Sequence, residues 1–495
     1  MSTNNKDNKD NQNNKDNQNN QNNQNDKNKE DKKSLYSIES YKEKKYDTIP
    51  FRIDFINDLL NGKKLEPIVD FNNTNTEHYV NPSGFKSLDN FHNDVMSYDT
   101  NVVLDKKLHN FYDIIKQMGG KLLYVKSGTS GHTFKGIINS DNGINMNYAV
   151  KVVAYPKREK YGGIEDVRRP ENAEIMMIRL LSYFVIKKQT PHIVLPIGTF
   201  NTSIKPFINL IDENIVDKSN KKYYEFAEKY KEDNYHEHVS ILMSEWANRG
   251  DLLDFIRKNH REFTPLHWKV FFFQVISVLA VIQDKFPGFR HNDLKANNIL
   301  VHKVKKRGTF FSYIVQKQKY ILPSIGYQVK LWDFDFACIP NIVDNMKVSA
   351  KWTDEINVTP IQNRYYDMHY FFNTLIKKGF FPQLIEDESI PKETKEFIFR
   401  IVPKKLQYGK YVSKRGRILI NREFLTPNEV LKKDPYFEEF RNHKLSKIKK
   451  GELNSLSSSV KKTSKSKVSY LDKLLLEDYK KNLIKDNKKK YTLRN

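Results

Sequence analysis

Between Lys121 and Val153 the chain reads as strand, glycine turn, strand and strand: LLYV, SGTSG, TFKGII and NYAVKVV. Such short runs, rich in β-branched and aromatic residues and broken by Gly and Ser, pair as antiparallel ribbons. Past Pro170 the spacing becomes helical. Ile175, Ile178, Leu181 and Phe184 share one stripe up to Lys187, and Pro170 suits a first helical turn. A strand (HVSILMSEW), a short helix (Asp251 to Lys258) and a long apolar helix (His267 to Phe286) follow. After a loop at Arg290 to Ile299 come the strand QVKLWDF and helical patterns from Tyr366 to Lys378 and on to Phe440. Strands early and helices late predict an α+β protein with a small antiparallel-sheet lobe and a larger helical one.

The ends dilute this pattern. Residues 1–33 are almost wholly Asn, Lys, Asp and Gln and lack the apolar side chains that offset the entropy of ordering, so they read as a disordered tail. Residues 34–110 form an N-terminal extension too apolar for a tail, expected to pack on the small lobe. At its end Leu104 to Met118 reads as a helix with Leu108, Tyr112 and Ile115 on one stripe. The Tyr-rich stretch 201–237 and the basic stretch near Lys305 to Lys319 read as insertions, and 441–495 as a Lys/Ser-rich basic tail with an amphipathic Tyr470 to Ile484.

Lys and Arg exceed Asp and Glu by 84 to 60, a net charge of +24, which predicts an anionic partner for the basic tail. One cysteine, Cys338, can neither close an internal disulfide nor build a cysteine zinc site, which points to an intracellular, reducing compartment. The first residues carry no signal-peptide run, and the longest apolar stretch, Val270 to Ile282, reads as too short to span a bilayer, so no transmembrane segment is expected.

Four separated stretches carry chemistry. In HNDLKANNIL, Asp293, Lys295 and Asn298 place a carboxylate, an ammonium and an amide on one short loop. Phosphoryl transfer needs such a set: a base for the hydroxyl proton, a cation for the transferring group and an oxygen for metal. In VKLWDFDFA, a strand delivers Asp333 into a turn, where a carboxylate can grip a hard cation. In YAVKVV, Lys151 lies on an apolar strand, costly to bury without a partner; Glu171 and Glu174 on the next helix are candidates. In VKSGTSGHTFKG, Gly128 and Gly131 let backbone N–H groups approach an anion, with Ser127 and Thr129 as further donors.

In order and spacing these stretches resemble the eukaryotic-type protein kinase superfamily, Ser/Thr class, over residues 120–440. The resemblance implies a bilobal kinase-like fold, with an N-lobe at 120–246 and a C-lobe at 247–440. It implies ATP and Mg2+ as cofactors and protein Ser/Thr hydroxyls as acceptors. Asp293 would be the catalytic base and Lys295 the phosphate-contacting cation. Lys151 would pair with Glu174, which opens the helical EIMMIRLL, and Asn298 and Asp333 would hold metal. Val125, Lys126, Ser127, Gly128, Thr129, Ser130, Gly131, His132 and Thr133 would cover the nucleotide. Glu245 and Ala247 would meet adenine through their backbones, Ser244 would guard the inner pocket, and Asp251 would lie near the ribose.

The departures are local. Lys126 stands at the first glycine of the loop, Asp335 at the last residue of D-F-G, and Asn292 at an arginine that clamps activation-loop phosphates. The loss at 292 predicts activity independent of loop phosphorylation. Asp367 reads equally as a helix N-cap or as a tie to the catalytic loop. Asp293 and Asp333 are 40 residues apart, which places an insertion between them. The Asn/Lys-rich tail, the long extension and YDMHYFF resemble kinases of large nucleocytoplasmic DNA viruses, including virion-packaged ones. Two other classes compete: a kinase-shaped pseudokinase or scaffold, and a basic nucleic-acid-binding protein. The retained Lys151, Asp293, Asn298 and Asp333 weigh against the first, and the absence of zinc-finger or helix-turn-helix signatures against the second.

Overall fold

A computed structural model of the chain describes residues 48–69, 71, 104, 106–128, 131–139, 145–304, 310–348 and 350–441. The Asn/Lys-rich start, most of the middle of the extension, Thr129, Ser130 and the stretch 442–495 lie outside the described residues.

Five strands form one antiparallel sheet in the order β1-β2-β3-β5-β4: β1 Lys121–Ser127, β2 Gly131–Asn139, β3 Asn145–Pro156, β4 Pro196–Ser203 and β5 Tyr235–Glu245. Alternation along β3 sorts the side chains: Val150, Val152 and Ala154 are buried on one face, and Lys151, paired with Thr133 and Leu242, points to the other. Gly131 is dictated by this pairing, since a Cβ there would fall 1.7 Å from the Val152 carbonyl oxygen.

Part of the N-terminal extension packs on the far edge of the sheet. Helix α1 (Ile49–Leu60) turns Arg52, Phe55, Ile56, Leu59 and Leu60 inward. Beyond it Pro67 bridges Gly198, and the Ile68 N–H donates to Ile197 at 3.4 Å. The helix expected from Leu104 is shorter and turned the other way. Asn110 caps it by accepting from the Asp113 N–H, so α2 is only Phe111–Met118. Its buried stripe is Phe111, Ile114 and Met118, and Tyr112 is 58% exposed. Leu108, 64% exposed, lies in extended chain that bridges Asn201.

Helix α3 (Pro170–Ile186) crosses behind the sheet, and α4 (Lys221–Lys231), within the Tyr-rich insertion, buries Tyr223, Phe226 and Ala227. The helical body follows: α5 Leu252–Asn259, α6 Pro265–Lys285, α7 Tyr366–Leu375, α8 Lys392–Ile401 and α9 Pro427–Lys433. Thr426 and Glu429 cap α9 reciprocally, with Pro427 in its first turn. Helix α6 outruns the stretch read from the sequence. By length and composition alone it could cross a bilayer, yet most of it is buried in the protein, its rings at Phe271, Phe272 and Phe273 packed against aromatic neighbours.

Strands β6 (Ile299–Lys303) and β9 (Tyr327–Leu331) pair next to the loop that carries Asp293 and Asn298. The basic insertion between them contains a hairpin, β7 (Phe310–Val315) and β8 (Gln318–Pro323). Gln316 and Lys317 both have positive φ, as a two-residue hairpin turn requires. Its buried Tyr313 and Tyr320 pack on Phe273.

Candidate active site

Strand β3, helix α3 and the end of β9 bring three charged groups together. The Lys151 ammonium meets Glu174 Oε1 at 2.6 Å and Oε2 at 2.9 Å, and Asp333 Oδ1 at 2.8 Å. Glu171, the other candidate, pairs instead with the buried Arg169 at 3.2 Å. Burial alone would lower the Lys151 ammonium, but Asp333 and Glu174 outweigh it and hold it above the usual lysine range. The same contact, against the pull of burial, keeps the Asp333 carboxyl well below the usual carboxylate range. Removing Lys151 would leave the Glu174 and Asp333 carboxylates without their shared cation, a loss of about 3–5 kcal/mol for a broken buried pair.

The loop that carries His291 to Asn298 is locked by its neighbours. Asp367, fully buried on α7, accepts from the His291 N–H at 2.7 Å and the Asn292 N–H at 2.9 Å. It therefore ties the loop, and the helix start has no side-chain cap. His291 Nε2 donates to the Trp332 carbonyl at 3.0 Å, and the Trp332 N–H donates to the Asn298 carbonyl at 3.2 Å. These two bonds join the Asp293 loop to the turn that carries Asp333. Both Asn292 and Asp333 adopt left-handed backbone, at φ +62° and +64°, which Asn and Asp tolerate better than other side chains. Asp335 is not among the positive-φ residues, so the glycine it replaces is not needed for this conformation.

On the loop, Asp293 Oδ2 accepts from Asn298 Nδ2 at 2.9 Å and lies 2.9 Å from Lys295 Nζ. Asn298 Nδ2 also donates to the Asp293 carbonyl at 3.0 Å, which leaves its amide oxygen as the acceptor for a cation. Asp293 Oδ1 receives Arg417, a buried residue that sequence reasoning passed over. Its only local signal was the turn glycine Gly416 in the run SKRGR.

The glycine turn lies at the other end of the sheet edge. The Gly128 N–H donates to the Gly131 carbonyl at 2.7 Å. The Ser127 hydroxyl lies 2.8 Å from the Tyr124 hydroxyl and 3.0 Å from His132 Nδ1, so it is committed within the protein. The His132 ring packs on Phe226 and Tyr223, and its backbone lies in the ladder between Ser127 and Val152. Val125 is exposed, and Thr133 sits opposite Lys151. Lys126 is close enough to Asp251 to favour its ionised form, opposing the burial that raises that carboxyl. The Asp251 side chain also caps α5 by accepting from the Asp254 N–H at 2.9 Å.

Glu245 is buried at the end of β5 beside the buried Ser244 and Ala247. Its carboxylate binds Arg52 Nε at 2.9 Å and Nη2 at 2.5 Å, Lys330 Nζ at 2.8 Å and the Leu195 N–H at 2.8 Å. The side chain faces the extension, and the Glu245 N–H donates to the Leu195 carbonyl at 3.0 Å, so both are committed within the protein.

Among the described residues no group of three or more His, Cys, Asp or Glu is arranged to hold a metal ion alone. Asp333 and Asn298 offer one carboxylate and one amide oxygen. That set fits a hard cation shared with phosphate oxygens better than a cation in an all-protein cage.

The poxvirus serine/threonine protein kinase family matches residues 161–434 of the chain. A protein of Acanthamoeba polyphaga mimivirus, named as a candidate serine/threonine-protein kinase, is 46% identical over 398 residues, 79% of this chain and 80% of its own length. A second mimivirus protein of like name is 29% identical over 34% of the chain and 46% of its own length. Serine/threonine-protein kinase 2 of fowlpox virus is 24% identical over 49% of the chain and 50% of its own length.

Proposed function

The chain belongs to the poxvirus serine/threonine protein kinase family, and from that premise we propose that it transfers the γ-phosphoryl group of ATP to protein Ser/Thr hydroxyls with Mg2+. One observation carries the reading: Lys151 binds Glu174 and Asp333 at once, while the Asp333 turn is hydrogen-bonded to the loop bearing Asp293 and Asn298. The sheet and the helical body would form two lobes, with the nucleotide between them. When bound, ATP with its metal supplies the activated phosphoryl group.

The protein's part is binding, orientation and proton handling. Lys151, steadied by Glu174, would neutralise phosphate oxygens. Asp333 and the Asn298 amide oxygen would hold the cation. Asp293 would accept a hydrogen bond from the acceptor hydroxyl and take its proton as the oxygen bonds to phosphorus and the bond to the ADP oxygen breaks. Lys295, 2.9 Å from Asp293 Oδ2, would offset charge on the transferring group. The lone Cys338, buried and free, fits a reducing compartment.

The test uses the purified full chain and Asp293→Ala with γ-labelled ATP, Mg2+ and both acidic and basic acceptor proteins. Wild type should label Ser/Thr residues, and the variant should lose transfer by about 100-fold or more while still binding ATP. Nucleotide binding without transfer in wild type would make the chain a kinase-shaped binding module instead.

A further inference from the structure

Asn292 brings no charge to the catalytic loop, but a cation arrives there from 125 residues downstream. Arg417 follows a tight turn: the Ser413 N–H donates to the Arg417 carbonyl at 2.8 Å, and the Arg417 N–H to Ser413 Oγ at 3.0 Å. Gly416, at φ +89°, makes the reversal, and its carbonyl accepts from Asn373 Nδ2 at 2.9 Å. Lys414 and Arg415 stay exposed at the tip, whereas the Arg417 side chain goes inward and is 6% exposed.

There its guanidinium is held on several sides. Nη1 donates to the Asn292 carbonyl and, at 3.0 Å, to the Tyr366 hydroxyl; Nη2 donates to Asp293 Oδ1. Its face lies 4.2 Å from the centre of the Tyr370 ring. A group so anchored is a fixture rather than a gate.

We propose that Arg417 is a positioning residue for the base: it fixes the Asp293 carboxylate so that one lone pair of Oδ1 faces the acceptor hydroxyl. This rests on the kinase reading above. A carboxylate has about four acceptor sites. Lys295 and Asn298 take Oδ2 and Arg417 takes one site on Oδ1, leaving one for the incoming O–H. Oδ2 contacts alone would let the carboxylate swing about its Cβ–Cγ bond. Pinning Oδ1 from a rigid turn removes that freedom, and base catalysis is sensitive to displacements well under an ångström.

The experiment measures kcat, KM for ATP, ATP affinity and thermal unfolding for full-length wild type, Arg417→Ala, Arg417→Lys and, as a control on the same turn, Arg415→Ala. Arg417→Ala should lower kcat by about 10- to 100-fold with KM and affinity for ATP within about twofold. Arg417→Lys, which restores a cation, should recover part of kcat, and Arg415→Ala should match wild type. Unchanged kcat in a folded Arg417→Ala overturns the proposal. So does a raised kcat, which would make the arginine a mask on the base. Should Arg417→Ala not fold, Arg417→Gln, which keeps polar contacts but not the charge, decides by the same split. Wild type that binds ATP without transfer would fail the kinase reading first, and this proposal with it.

Discussion

Lys106 enters the core from the N-terminal extension and meets three neutral oxygens: the Tyr155 hydroxyl and Ser240 Oγ, each at 2.6 Å, and Asn172 Oδ1 at 3.0 Å. Burial pulls its ammonium down to about 7, only partly opposed by Glu171, Glu165 and Glu174. Above that pH the folded chain has released a proton that the unfolded chain keeps to about 10.4. The unfolded state then binds more protons, so stability from this group rises with pH between about 7 and 10 and is flat below. Thermal unfolding from pH 7 to 9 should show the rise in wild type and lose it in Lys106→Met; parallel slopes would refute the assignment. At this scale the sequence speaks through residue chemistry. That Asp293 and Asn298 share a loop and Asp333 opens a turn after a strand was legible, because these are local features of the chain. The αL backbones at Asn292 and Asp333 and the commitment of Ser127 to His132 were not, because they depend on who sits across the fold.

Among the elements, α1 does more than cover the sheet. Arg52 also donates to the Pro191 carbonyl at 2.9 Å and the Ile193 carbonyl at 2.6 Å, so one side chain joins the extension, the chain entering β4 and the end of β5. Burial would raise the Glu245 carboxyl, but Arg52 and Lys330 outweigh it and hold it at about 2. Its folded value lies below the unfolded value of about 4.3, so the contribution is complete above that value and is lost as pH falls toward 2. Arg52→Ala should cost about 3–5 kcal/mol by denaturant unfolding near neutral pH, and the gap to wild type should narrow as pH falls below about 4. A gap that is constant with pH would mean Arg52 acts by packing alone. Helix α3 was legible because Pro170 and an unbroken apolar stripe agree. The region before Met118 was misread because Leu108 and Tyr112 also satisfy helical spacing; the Asn110 cap and the bridge to Asn201 override it. The β7–β8 hairpin was hidden by the basic run just ahead of it, Lys303 to Arg307, its inward Tyr313 and Tyr320 meaning little until Phe273 faces them.

For the whole molecule, the segment after Asp333 is held by contacts among the protein's own groups. Lys347 pairs with Asp335 at 2.5 Å, and Asn345 Nδ2 donates to the Asp335 carbonyl at 3.0 Å and the Ala337 carbonyl at 3.1 Å. The Met346 N–H donates to the Arg168 carbonyl at 2.9 Å, just before α3. Buried Arg290 donates to the carbonyls of Asn357 at 2.5 Å and Ile361 at 2.9 Å. Phosphatase treatment should therefore leave kcat unchanged, whereas Lys347→Ala should lower it several-fold; a loop phosphate that raises turnover would contradict this. The architecture was legible in outline because strand and helix periods segregate along the chain. Arg52, Arg290 and Arg417 were not, because each acts across a long loop of sequence from ordinary surroundings.

The central claim is that Lys151, Glu174, Asn298 and Asp333 form one site for a triphosphate and its cation. Calorimetric titration of ATP into the full chain, with and without Mg2+, in wild type and Asp333→Asn, tests it most directly. Mg2+ should tighten binding in wild type by about tenfold or more, and Asp333→Asn should abolish that gain. Equal affinity with and without Mg2+ in wild type, or a full Mg2+ effect in the variant, would contradict the account.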